Sequence, residues 1–245
     1  MNTLVSHQHN RNVLAALPLR GRIGKPSVDD IYPRIFDAIL EQRIAPASRF
    51  TEESLGDVFG VSRSIIRRVL ARLSHQQVVI LRPNHRPQVA APDLEQTRQI
   101  LHARRLAEQT LVRLACKAPQ PQDLRRLRDL VEQEQHCLER GERGPAIRLS
   151  GEFHLQLAAM AGNAPLMQFL GSLVPLTSLA LARHEVKSRR HCAWQEHLAI
   201  VDAVEGRNVN EAVRLMDEPR ESVIVFIADE LPEEKIRAGF EAVLL

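Results

Sequence analysis

Between Gly60 and His75 the chain reads GVSRSIIRRVLARLSH, and the groups in it that can do chemistry are cationic and hydroxylic. Arg63 and Arg67 stand four residues apart with Ser62, Ser64 and Arg68 beside them, while Ile66, Val69, Leu70 and Leu73 recur in the other phase. On a helix this spacing gathers the apolar residues on one face and leaves a short, polar, cationic face opposite. That face suits a major groove, because Arg forks onto guanine N7 and O6 or meets phosphate, and Ser bonds either. A second basic group, Arg82, His85 and Arg86, follows the run, and Arg49 precedes it.

A different chemistry lies in the back half. Arg104 falls in the apolar series Ile100, Ala107, Leu111 and Leu114, and a cation on an apolar face needs a partner. Glu108, one turn on, can be that partner; an anionic ligand can be another, and the two can coexist. His154 shares a helix face with Ser150, Leu157 and Ala161, and His197 with Trp194 and Val201, so both imidazoles point to an interior. They are core residues held by hydrogen bonds, or they bind something.

The elements that position these groups follow from periodicity. Ile31, Ile35, Phe36, Ile39 and Leu40 predict a helix from Asp29 that ends before Pro46. Thr51 caps a short second helix carrying Leu55, Val58 and Phe59; Gly60 ends it and Ser62 caps the third. VVIL at 78–81 and QVA at 88–90 flank RPNHRP, which reads as a hairpin with a basic tip. Helix, helix-turn-helix and basic hairpin make a winged helix-turn-helix. From Asp93 strand signals vanish, and helical stripes run through 94–116, 123–140, 145–161, 165–184, 191–205 and 209–229, with a last short one over 233–244. The fold class expected is mainly α: a winged helix-turn-helix with a small β-hairpin wing at 29–92, then an all-α bundle at 93–230. Residues 1–28 read as a tail and 231–245 as a helical extension.

Composition narrows the function classes. In 245 residues, 44% are hydrophobic and 26% charged, which fits neither wholesale disorder nor a membrane bundle. The most apolar stretch, 172–182, is interrupted by Pro175, Thr177 and Ser178, so no membrane-crossing helix and no membrane partner are expected. The N-terminus lacks a secretory pattern, and Cys116, Cys137 and Cys192 are odd in number with no Cys-x-x-Cys spacing, which points to a reducing cytoplasm. Residues 1–92 carry 13 Lys and Arg against 7 Asp and Glu, the remainder 20 against 23. A basic module joined to a slightly acidic one is the footprint of a nucleic-acid reader attached to something else. No nucleophile elbow, phosphate loop or cofactor fingerprint points to catalysis, and no catalytic residue is assigned.

FTEESLGDVFGVSRSIIRRVLARL resembles the DNA-binding domain of GntR-family transcriptional regulators. The back half resembles the FCD effector domain of the FadR subfamily, through Arg104 to Glu108, Glu152-Phe153-His154, Ala161-Gly162-Asn163 and Glu196-His197. The resemblance implies that Arg63 and Arg67 contact DNA, with Ser62, Ser64, Arg68, Arg49, His85 and Arg86 around them. It implies a homodimer on an inverted-repeat operator, and a bundle that senses a small organic acid and modulates repression. Glu53 stands where many members have Arg, and Ala47, Gln77 and Arg86 where Gly is frequent, so Gln77 is expected to be strained if its φ is positive. Many FCD domains hold a divalent metal at positions that read here Ser150, His154, His197 and Pro219. Two ligands of four are gone, so a metal at His154 and His197 is disfavoured and no cofactor is expected. The effector pocket implied is Arg104, Ser150, His154 and His197, joined by Ser178 and Arg183. Two other readings stay open: an effector-blind architectural DNA binder, and a metalloenzyme built on His154 and His197 with Glu152 or Glu196.

Overall fold

The computed structural model describes residues 26–184 and 193–217, without the side chains of Arg183, His184 and Ala193. The expectations for the 1–28 tail up to Lys25, for Pro219, for the remainder of the 209–229 stripe and for the 231–245 extension therefore lie outside the described residues.

Helix α1, Val28–Leu40, starts at a capping box in which Ser27 Oγ accepts from the Asp30 amide at 3.3 Å and the Asp30 carboxylate accepts from the Ser27 amide at 3.0 Å. Its apolar face, Ile31, Ile35, Phe36, Ile39 and Leu40, is buried. Helix α2, Glu52–Phe59, is capped by Thr51 through Ser54 and stops at Gly60, whose φ of 62° lies in the left-handed region that glycine enters without cost. The Val61 amide then donates to the Gly56 carbonyl at 3.1 Å, which closes the turn into α3, Arg63–His75. Ser62 occupies the N-cap of α3 but does not cap it, contrary to the expectation. Its hydroxyl bonds the Ser64 hydroxyl at 2.8 Å, and that contact turns it away from the first-turn amides.

The wing is antiparallel, β1 (Val79–Ile80) on β2 (Gln88–Val89), with Val79 opposite Val89 and Ile80 opposite Gln88. Both strands are shorter than 78–81 and 88–90, although the Ala90 amide still donates to the Val78 carbonyl at 2.9 Å. Arg49 bridges to Gln88, so the loop after α1 also pairs with the wing. Of the three positions where Gly is frequent, Ala47 (φ 60°) and Gln77 (58°) are left-handed and Arg86 is not; in and before the wing Gln42 (56°) and Asn84 (58°) are left-handed too.

The bundle comprises α4 (Leu94–Ala115), α5 (Pro121–Glu139), α6 (Arg143–Met160), α7 (Ala164–His184), α8 (Ala193–Glu205) and a helical segment at 209–217. Helix α6 starts two residues before the expected 145 and so includes Gly144. There α1 passes so close that a Cβ on Gly144 would lie 2.8 Å from the Asp37 carbonyl oxygen, so only glycine fits without movement. The main core of the bundle gathers Leu127, Phe153, Leu157, Val201 and Val204, with smaller clusters around Leu111 and Leu170 and around Cys137 and Leu149. The winged-helix core continues into α7 through Leu176, Leu179 and Ala182.

One helical stretch among the described residues, Ala164–Ala182, is long and apolar enough by length and composition to cross a membrane, longer than the 172–182 stretch on which the expectation of no such helix rests. Pro175 does not interrupt the helix, and the hydroxyls of Thr177 and Ser178 donate to the Leu173 and Val174 carbonyls, which internalises their polarity. In this fold the later half of α7 packs against protein, with Val174 and Leu176 to Ala180 buried.

Candidate nucleic-acid interface and bundle site

Helix α3 is oriented by its apolar stripe: Ile66, Val69, Leu70 and Leu73 are buried against α1 and α2. Tyr32 of α1 locks the far end. Its hydroxyl donates to Gln76 Oε1 at 2.6 Å, and the Arg72 guanidinium lies 3.9 Å over its ring while pairing with Asp29 at 3.0 Å. Burial raises the Tyr32 phenol, so it stays a donor.

The opposite face carries Arg63, Ser64, Arg67 and Arg68, all exposed, beside exposed Ser62. Arg49, His85 and Arg86 are exposed on the wing side, where His85 Nδ1 donates to the Pro83 carbonyl at 2.7 Å. Two of these arginines carry partners that the sequence did not predict. Arg63 Nη2 is 2.9 Å from Glu53 Oε1, and Arg67 Nε donates to Glu52 Oε2 at 2.8 Å. Glu52 and Glu53 lie in the first turn of α2, where acidic residues suit the helix dipole, but their pairing depends on how α2 crosses α3.

In the bundle, the expected pocket residues are brought together only in part. Arg104 is 4% exposed and Glu108 2%, and Arg104 Nε donates to Glu108 Oε1 at 2.8 Å. Burial pulls the Arg104 guanidinium down to about 9, which still leaves it cationic at neutral pH. His154 Nδ1 lies 3.1 Å from the same Glu108 oxygen without hydrogen-bond alignment. Burial, then the charges of Arg104 and His197, hold its imidazole well below the usual histidine range, so it is neutral. His197 Nδ1 donates to the buried Glu134 Oε2 at 2.7 Å, its ring stacks on Phe153 at 4.2 Å, and the His154 ring meets it edge-on at 5.1 Å.

Ser150 is half-buried one turn before His154, and Ser178 is buried with its hydroxyl on its own helix, beside Gly151. Arg183 has no described side chain. Glu134 was missed, although it continues the stripe Leu124, Leu127, Val131, where a carboxylate on an apolar face is the signal that finds it.

These residues do not fit a tightly held divalent ion. No group of three or more His, Cys, Asp or Glu suited to a metal gathers among the described residues. Ser150 offers only a neutral hydroxyl, and the Arg104 cation stands beside His154 and would repel a dication.

Comparison with known proteins places both halves. Residues 27–89 match the bacterial regulatory proteins of the gntR family, and residues 99–219 match the FCD domain. The Uxu operon regulator of Haemophilus influenzae is 24% identical over 193 residues, 71% of this chain and 71% of that protein. The HTH-type transcriptional repressor NanR of Cronobacter sakazakii is 27% identical over 194 residues, 71% and 74%. Among solved structures, E. coli McbR/YncC superposes with a TM-score of 0.68 at 19% identity, over 84% of this chain and 99% of that one. A putative GntR regulator from Rhodococcus sp. RHA1 gives 0.66 over the same shares, also at 19% identity, and these two likenesses establish the fold.

Proposed function

Because the chain belongs to the gntR family of DNA-binding transcriptional regulators and carries an FCD domain behind its winged helix, we propose that it is a homodimeric repressor relieved or tuned by a small organic acid. Regulators of this kind are not enzymes, and the metalloenzyme reading falls with that. Residues 29–92 form the DNA-binding unit, and α3 lies in the major groove. Arg63, Ser64, Arg67 and Arg68 read bases or phosphates there, while Ser62, Arg49, His85 and Arg86 meet the backbone. One winged helix covers one half-site, so a two-fold dimer on an inverted repeat supplies the second. Residues 93–230 form the sensing and dimerising unit. Repression is supported by NanR, which is named a repressor.

The observation that carries the sensing role is the buried cation of Arg104, whose partner Glu108 is also approached by buried His154, with His197 beside that ring. Glu108 takes one donor of a guanidinium that has five, and a fork onto a carboxylate is what Arg does best. The His154 imidazole, neutral and with Nδ1 lacking a hydrogen bond among the described residues, can bond a second oxygen of the same acid. Thermal-shift screening of organic acids tests this. A carboxylate at 100 times its Kd adds about 2.7 kcal/mol of apparent stability. Arg104→Gln with Glu108→Gln, which removes both charges of the pair together, should abolish the shift and leave DNA binding intact. A shift that survives the double variant overturns the Arg104 anchor, and no shift with any acid favours the effector-blind reading.

A further inference from the structure

We propose that Glu52 and Glu53 determine specificity by holding the two recognition arginines back from indiscriminate contact with phosphate. The inference rests on the reading of α3 as the groove-reading helix. Both carboxylates sit in the first turn of α2, fixed there by the Thr51 capping box, and each reaches across the turn to one arginine: Glu53 to Arg63 at 2.9 Å and Glu52 to Arg67 at 2.8 Å. The side chains of Arg63, Glu53 and Arg67 are each more than 60% exposed, and Glu52 is 30% exposed, so the pairs stand in the solvent a duplex would displace.

The consequence follows from what competes for the guanidinium. A phosphate offers Arg a charge and hydrogen bonds much like those of the carboxylate it already has, so exchanging one for the other yields little. A guanine edge offers a fork of two acceptors in fixed geometry, and a complementary site adds the base contacts around it. At the same time the two carboxylates repel the backbone of any duplex. Together they lower sequence-independent binding, which is carried by phosphate contacts, more than they lower binding at a matched site. A side chain that merely capped α2 would have no such selectivity, because helix stability scales all DNA binding alike.

The test uses the full chain with Glu52→Gln and Glu53→Gln, alone and together. Binding is read by fluorescence anisotropy across a salt series, on a duplex selected from a random pool by the wild-type protein and on a shuffled duplex of equal composition. Removing an exposed pair is worth a factor of about 3, so the double variant should bind the shuffled duplex about tenfold more tightly. The plot of log K against log salt should steepen by about 0.9 for each further phosphate that the freed arginines neutralise, while affinity for the selected duplex rises less and the discrimination ratio narrows. Gln keeps the length and polarity of both side chains, and a thermal melt confirms that the fold persists. Equal changes on both duplexes, or an unchanged salt slope, overturn the proposal. Arg63→Ala with Arg67→Ala separates it from the reading beneath: if that variant discriminates as wild type does, it is the recognition-helix assignment that fails.

Discussion

At the residue scale, the side chains that matter most are charged or titratable groups whose partners lie on other helices. Arg63→Ala and Arg67→Ala should each weaken operator binding by about 1–3 kcal/mol without lowering the melting temperature, measured by anisotropy and calorimetry. His154 makes a different prediction. Its imidazole resists protonation in the fold, whereas the unfolded chain takes that proton at the ordinary value of 6.5. Below pH 6.5 the unfolded state therefore holds more protons than the native state, and stability should fall as pH falls, by up to about 1.4 kcal/mol per pH unit for this one group. Urea midpoints between pH 7 and pH 5.5 read the slope, and His154→Gln should flatten it.

At the element scale, the wing and the loop before it carry backbone strain that shapes how the basic tip is presented. Gln77 links α3 to β1 at a φ of 58°, and Ala47 precedes the Arg49 bridge at 60°, both in the left-handed region that a Cβ disfavours. Gln77→Gly and Ala47→Gly should each stabilise the protein by about 0.5–1 kcal/mol, after the extra entropy of unfolded glycine is set against the relief. A melting temperature that fell in both variants would show that contacts of the side chains outweigh the backbone term.

At the scale of the whole molecule, the DNA-binding unit is seated on the bundle through α1. Arg148 of α6 donates to Asp37 of α1 at 2.7 Å and to Glu152 at 2.7 Å, with the Arg148 and Asp37 side chains only 18% and 14% exposed. Burial pushes the Asp37 carboxyl above the usual carboxylate range, against the pull of Arg148. Gln42 reaches the Ala182 carbonyl at 2.6 Å, and Gly144 lets α1 approach. Arg148→Met would strand the Asp37 charge and should cost about 3 kcal/mol, read from chemical denaturation. Gly144→Ala should cost about 1–3 kcal/mol by forcing α1 away from α6. Helix α6 also carries Ser150 and His154, so the same element touches both the bundle site and the DNA-binding unit. In light scattering the protein should run as a dimer.

The linear order of apolar residues determined the helices and the wing: the 3.6 period of Ile31, Ile35 and Ile39, the Thr51 and Gly60 boundaries and the short apolar runs flanking the RPNHRP turn are local signals, and each acts within a few residues. The buried Arg104–Glu108 pair was legible for the same reason, since both lie one turn apart on α4. What only the tertiary structure decided are contacts between groups far apart in the chain: Glu52 and Glu53 on the recognition arginines, Glu134 on His197, and Arg148 on Asp37. The Ser62 hydroxyl escaped for a related reason: a donor's choice between two acceptors depends on packing that no local pattern contains.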